Sequence, residues 1–113
     1  MFSGYPPIPG DESLTRGAFF IDAVAVVSET PGTAQVVVNG SLPTPCNQPR
    51  ALVNPPDNDN RIVIEVYSLI DPGQVCTQVI KLFDGPVATL TGYAPGTYQV
   101  VVNDQPAGEF VVP

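Results

Sequence analysis

Apolar and polar residues alternate along most of this chain, in short runs separated by prolines and glycines. Residues 61–70 show the pattern best. Ile62, Ile64, Val66 and Ser68 share one face, and Val63, Glu65, Tyr67 and Leu69 share the other. A period of two is that of a β-strand. The same reading places strands over 18–29, 34–42, 50–53, 75–83, 87–91, 96–103 and 109–112. Between them lie Thr30-Pro31-Gly32, residues 54–60, Asp71-Pro72-Gly73, Asp84-Gly85-Pro86 and Gln105-Pro106-Ala107-Gly108, all built from turn formers. The stretch Pro43-Thr44-Pro45-Cys46 is too stiff for a central strand. No long segment carries apolar residues at helical spacing. Seven or eight short strands with turn chemistry at nearly every junction predict an all-β, immunoglobulin-like Greek-key sandwich. A small barrel is the alternative.

Residues 1–17 stand apart from this pattern. Gly4, Pro6, Pro7, Pro9 and Gly10 break regular structure, so the segment reads as an extended arm or linker of polyproline-II character. The sandwich then occupies 18–113. Near its end, Leu90 to Val100 has the form L-x-x-x-x-P-G-x-Y-x-V. Pro95-Gly96 makes a turn, and Tyr98 follows at the start of a strand. This is the setting of a tyrosine corner, in which a buried phenol bonds nearby backbone.

The composition narrows the setting. A chain of 113 residues is one domain. Only 13% of its residues are charged, about half the usual share, so Thr, Ser, Asn and Gln supply most of the polar surface. Arg16, Arg50, Arg61 and Lys81 face eleven acids, for a net charge of −7. That balance excludes a nucleic-acid partner and electrostatic docking on an anionic membrane. The longest aliphatic run, 23–27, is far too short to span a membrane. Residues 1–7 lack the basic and apolar regions of a signal peptide. The chain therefore reads as a mature segment of an exported protein or as a cytosolic one. The two cysteines, Cys46 and Cys76, favour export. An even count in a small, weakly charged β-domain suggests a disulfide, the alternative being an unlinked pair in a reducing compartment.

Catalysis is poorly provided for. The chain has no histidine, so nucleophilic triads and zinc sites built on imidazole are excluded, and no enzymatic activity is expected. No cofactor is expected either, with one candidate exception. In Pro56-Asp57-Asn58-Asp59-Asn60, Asp57 and Asp59 offer two carboxylates to a calcium ion. The loop lacks the glycine and distal glutamate of an EF-hand, and a solvated Asx turn explains it as well. Asn39-Gly40-Ser41 matches the glycosylation sequon, though Asn-Gly is more simply a turn or bulge. Lys81, the one lysine, is the only amine able to form an isopeptide crosslink to an asparagine.

The first strand carries an assembly signal. Strict alternation puts Phe19 and Ile21 on one face and Phe20, Val24 and Val26 on the other. Both faces are then apolar, whereas a two-sheet sandwich buries only one face of each strand. The arm or another subunit would cover the excess. Strand addition between copies would make the chain a homo-oligomer or filament subunit. The alternative is a soluble ligand-binding or protease-inhibitor-like domain acting through end loops at 43–49, 54–60 and 92–96.

From Leu42 onward, four segments recur in order: Leu42-Pro43-Thr44-Pro45-Cys46, Arg61-Ile62-Val63-Ile64-Glu65-Val66, Val75-Cys76-Thr77-Gln78 and Pro95-Gly96-Thr97-Tyr98 with Val101-Val102-Asn103. Together they resemble the small immunoglobulin-like domains of exported lipoproteins and envelope proteins of Chloroflexi-like bacteria, over residues 20–112. The resemblance implies an extracytoplasmic location, no catalytic residues and a Cys46–Cys76 pair. The expectation is a non-catalytic structural or interaction module of a bacterial surface, whose partner is another protein or itself.

Overall fold

The computed structural model describes residues 4–113. They form eight strands: β1 (Thr15–Gly17), β2 (Phe20–Thr30), β3 (Thr33–Leu42), β4 (Gln48–Val53), β5 (Arg61–Ile70), β6 (Lys81–Leu90), β7 (Gly96–Val102) and β8 (Gln105–Val112). A single 3₁₀ turn covers Asp11–Ser13. The strands make two sheets packed as a sandwich. One is three-stranded, in the order β2-β3-β6. In the other, β4 lies on one side of β5, while β7 and β1 share its opposite side and β8 follows β7.

Hydrophobic alternation positions the core. Val36, Val38 and Leu42 on β3 point inward, opposed by Ile62, Ile64, Val100 and Val102 of the other sheet, and all are almost fully buried. The β2–β3 hairpin closes at Pro31-Gly32, where Gly32 has φ 79° as the second central residue of such a turn requires.

β2 departs from strict alternation. Its register on β3 shifts between Ile21 and Ala23, leaving Asp22 as a bulge. A bulge adds one residue and so flips the phase of everything after it. Phe19 and Ile21 before it, and Val24 and Val26 after it, all pack against the core, whereas Phe20 is half exposed. Both faces of the strand are apolar, but Val24 and Val26 join Ile21 inward, and Phe20 shares the outward face with Ala23, Ala25 and Val27. Gly40 sits opposite the bulge, and a Cβ there would collide with the carbonyl oxygen of Phe20.

Two further boundaries differ from the alternation pattern. The stretch Asp84-Gly85-Pro86 does not end a strand. β6 runs through it along β3 and places a bulge at Val87, so the expected strands 75–83 and 87–91 merge into one that begins at Lys81. Proline is tolerated because β6 is at the edge of its sheet. Residues 71–80 carry no regular structure. The last hairpin turns at Asn103-Asp104 rather than at 105–108. Both residues have positive φ, 48° and 66°, as a two-residue hairpin turn demands.

Asn103 does more than turn the chain. The parallel pairing of β7 with β5 ends at Val102 beside Ile64, and β1 takes up the same edge of β5 only at Ser68. Between them, Asn103 Oδ1 accepts the N–H of Val66 and Asn103 Nδ2 donates to Val66 O, both at 2.8 Å. Its side-chain amide thus stands in for the missing strand residue.

Residues 4–17 lie along the sandwich. Gly4 pairs with Ala88 of β6, Tyr5 donates its N–H to Val87 O, and Tyr5 O accepts the N–H of Ala51 of β4. The arm therefore closes the seam between the two sheets. Farther on, both carboxylate oxygens of Asp11 accept from the buried Arg50 guanidinium at 3.1 Å, and β1 pairs with β5.

Asn103→Asp should cost about 2–3 kcal/mol, because a carboxylate oxygen would face Val66 O where a donor now stands. Asn103→Gly keeps the positive φ and should cost less. Urea unfolding of the two variants measures the difference.

Candidate interaction surface

The outer faces of the two sheets differ in chemistry. The outer face of the five-stranded sheet is charged. Arg16 reaches across from β1 to pair with Glu65 on β5, and its guanidinium lies 4.1 Å from the centre of the Tyr67 ring. Arg61 and Glu109 lie on the same side, beside Gln99. The outer face of the three-stranded sheet follows from its register. β2 contributes Phe20, Ala23, Ala25 and Val27, β3 contributes Gln35, Val37, Asn39 and Ser41, and β6 contributes Leu82, Asp84, Pro86 and Thr89. Asp84 is the only charged residue among these twelve, and Asp22 is exposed beside them at the bulge. Phe20, Val27 and Leu82 are 52%, 41% and 83% exposed.

Residues 71–80 connect β5 to β6 at one end of the sandwich. Val75, Val79 and Ile80 are exposed, and the hydrogen bonds of the segment are local: Gln74 N–H to Asp71 O, Gly73 N–H to Asp71 Oδ1 and Val79 N–H to Thr77 O. What ties it to the sandwich is the disulfide from Cys76 to Cys46, with Cα atoms 6.2 Å apart. The bridge joins two loops, and it does not cross between the sheets as it does in antibody domains.

Cys46 is held in turn by a buried polar chain. Thr44 Oγ1 accepts the N–H of Cys46 and donates to Asn47 Oδ1 at 2.6 Å. Asn47 Nδ2 donates to Ser68 Oγ at 3.0 Å, and Ser68 Oγ donates to Ala18 O at 2.6 Å. Thr44, Asn47 and Ser68 are all buried, so each bond matters: an unpaired partner would be stranded away from water. The alternation pattern treats Ser68 as one more inward position and gives no sign of this chain.

The other residues singled out from sequence are dispersed. Tyr98 Oη donates to Ala94 O at 2.6 Å, four residues upstream across Pro95-Gly96, in the geometry of a tyrosine corner. Its ring stacks on Phe110, with Tyr93 packed against both. Burial raises the Tyr93 phenol above its ordinary pKa, and the neighbouring Tyr98 adds to the effect. Asp57 turns back on its own loop. Its Oδ1 accepts the N–H groups of Asp59 and Arg61 at 2.9 Å, and its Oδ2 accepts Arg61 Nε at 3.1 Å. Both oxygens are engaged, one by a cation, which leaves little for calcium. Among the described residues, no group of three or more acids or cysteines is placed to hold a metal ion. Lys81 is exposed at the start of β6, and Asn39 is exposed in mid-strand. The loops proposed as one binding end divide between two. Residues 54–60 and 92–96 meet at one end, where Asn60 O accepts the N–H of Gln99, while 43–47 lies at the other with 71–80.

A family model described as the ORF11 beta-sandwich domain matches residues 36–112. The chain belongs to this family. The ORF11 β-sandwich match runs from the middle of β3 to the end of β8, and so takes in both cysteines, the tyrosine corner and most of the core. The arm, β1 and β2 lie outside it. No curated protein and no solved structure matches the chain. Among the described residues, no helix is long and apolar enough to cross a membrane.

Two outcomes follow for this ORF11 β-sandwich domain. Replacing both cysteines with serine should cost about 3.5–4 kcal/mol on the chain-entropy estimate, and thermolysin should then cut first within 71–80. Acid should destabilise the domain in a defined window. Asp11, bonded by the Arg50 guanidinium, and Asp57, bonded by the Arg61 N–H, are both held below the ordinary 3.8. A lowered carboxylate pKa gives stability that is full above the ordinary value and lost as pH falls through the folded one. The melting temperature should therefore be flat above about pH 5 and fall below about pH 4, and Asp57→Asn should make the fall shallower.

Proposed function

We propose that this domain is a non-catalytic structural and interaction module of a bacterial cell surface, held outside the cytoplasm, which associates with a second copy of itself through the outer face of its three-stranded sheet. The carrying observation is the contrast between the two outer faces. One holds ion pairs. The other offers Phe20, Val27, Val37 and Leu82, with two carboxylates, Asp84 and the exposed bulge residue Asp22, beside them. The disulfide supports the location, because such bonds persist in oxidising compartments. The resemblance to envelope proteins supports a bacterial surface.

A second copy is the occupant that the chemistry favours. The net charge of −7 sits largely on other surfaces, so two copies meet with least repulsion through this face. Two pleated faces also pack directly, as sheets do in a sandwich, without any new element. At about 4.8 Å between strands and 3.3 Å per residue, the face measures roughly 14 by 26 Å. That is about 360 Å², under half of the roughly 800 Å² that each partner of a standard interface contributes, so the association is weak.

Sedimentation equilibrium tests the reading. The wild-type chain should self-associate reversibly with a dissociation constant in the micromolar to millimolar range, and Val27→Glu or Leu82→Glu should weaken that association by roughly tenfold or more without changing the circular dichroism spectrum. A wild-type chain that stays monomeric up to about 1 mM, the weak limit of that range, would sink it.

A further inference from the structure

The contacts that hold residues 4–17 in place share a property. Gly4 pairs with Ala88, Tyr5 bonds Val87 and Ala51, Asp11 grips Arg50, and β1 runs along β5. Arg16 adds its contacts to Glu65 and Tyr67. All of these partners lie on β4, β5 and β6, and none lies on β2, the strand to which the arm is covalently joined. The joint consists of Ala18 and Phe19, which carry the chain from one sheet to the other. Phe19 stays with the body of the domain, its ring packed edge-on against Phe83 at 5.2 Å.

We propose that the arm is exchanged between copies, with residues 4–17 of one chain lying along β6, β4 and β5 of the next. Every contact just named is preserved in the exchanged form, and Ala18 travels with the arm so that its carbonyl still accepts from a buried Ser68; only the link between Ala18 and Phe19 changes course, which makes exchange a low-cost route to association. Short joints of this kind favour it. The seam also requires an occupant. Without the arm, the edges of β4 and β6 lose their cover, and Arg50, whose side chain is only 8% exposed, loses its carboxylate partner. A second copy is the occupant because the seam is already fitted to this sequence. Within one chain the arm competes at an effective concentration in the millimolar range, so exchanged forms accumulate where the chain is densely arrayed. Reciprocal exchange closes a dimer, and one-way exchange runs on into a filament. This inference does not rest on the sheet face, which lies on a different side of the domain.

The test uses full-length chains carrying either Asp11→Arg or Arg50→Asp. Within one copy, each substitution sets like charges against each other where the arm crosses β4. Unfolded together and refolded at about 1 mM, the two variants can restore opposite charges in both copies only by exchanging arms. Native mass spectrometry should find a one-to-one heterodimer at twice the chain mass of 11.9 kDa. It should exceed either homodimer by roughly tenfold. A chain carrying both substitutions restores the pair within itself and should refold as a monomer when dilute. Wild-type chains in two isotopic labels, refolded together at the same concentration, provide a second measure. Exchange gives mixed-label dimers that persist on dilution and survive Leu82→Glu, whereas dimers formed through the sheet face dissociate on dilution and are lost with that substitution. Either persistent dimer supports exchange. If the variant pair refolds only to monomers and no dilution-resistant mixed-label dimer forms, the arm docks only in its own copy and the proposal is overturned.

Discussion

Two sheets pack only where every strand keeps one face turned to the other sheet, and here that constraint is met with the help of single-residue bulges. Asp22 resets the phase of β2, Val87 that of β6, and the irregularity between Val100 and Val101 that of β8. Without the bulge at Asp22, either Ile21 or Val24 would be turned to water. Without the one at Val87, the inward side chains of β6 could not be Phe83 at one end and Leu90 at the other. The apolar face of the three-stranded sheet follows from the same resets, because each residue turned inward fixes a neighbour turned outward. Surface and core are two readings of one register.

This explains which parts of the fold were legible in the sequence. Residues 61–70 form a strand with unbroken alternation, and their boundaries follow from the pattern alone. Residues 18–29 do not, because an alternation rule has no place for an extra residue, and it therefore assigned Val24 and Val26 to the face opposite Ile21. Asp84-Gly85-Pro86 has the composition of a turn but lies in an edge strand, where proline removes no needed donor. The turn at Asn103-Asp104 was hidden by its neighbour Gln105-Pro106-Ala107-Gly108, whose composition is the more turn-like of the two. What decides there is the pair of positive φ angles, which asparagine and aspartate tolerate.

The candidate surface was legible only in part. The exposed aromatic Phe20 came from the alternation, but its companions Val27, Val37 and Leu82 emerge only when three strands are set in register. The disulfide was expected from cysteine count and domain size. Its position outside the sandwich was not, since spacing says nothing about which elements a bridge joins. Asp57 and Asp59 illustrate the converse. Two acids in a loop look alike in sequence, but one of them is the hub of the loop's own hydrogen bonds.

The seam-closing arm has a consequence for the order in which the molecule is made. During synthesis or export from its N-terminal side, residues 4–17 emerge before any strand they touch. Their last partner, Ala88, lies some eighty positions later in the chain. Local hairpins such as β2–β3 can form as soon as they appear. The arm has to wait until β4, β5 and β6 have been delivered and assembled. Its docking is therefore a late step for an early segment, and through that interval the segment is open to whatever lies nearby.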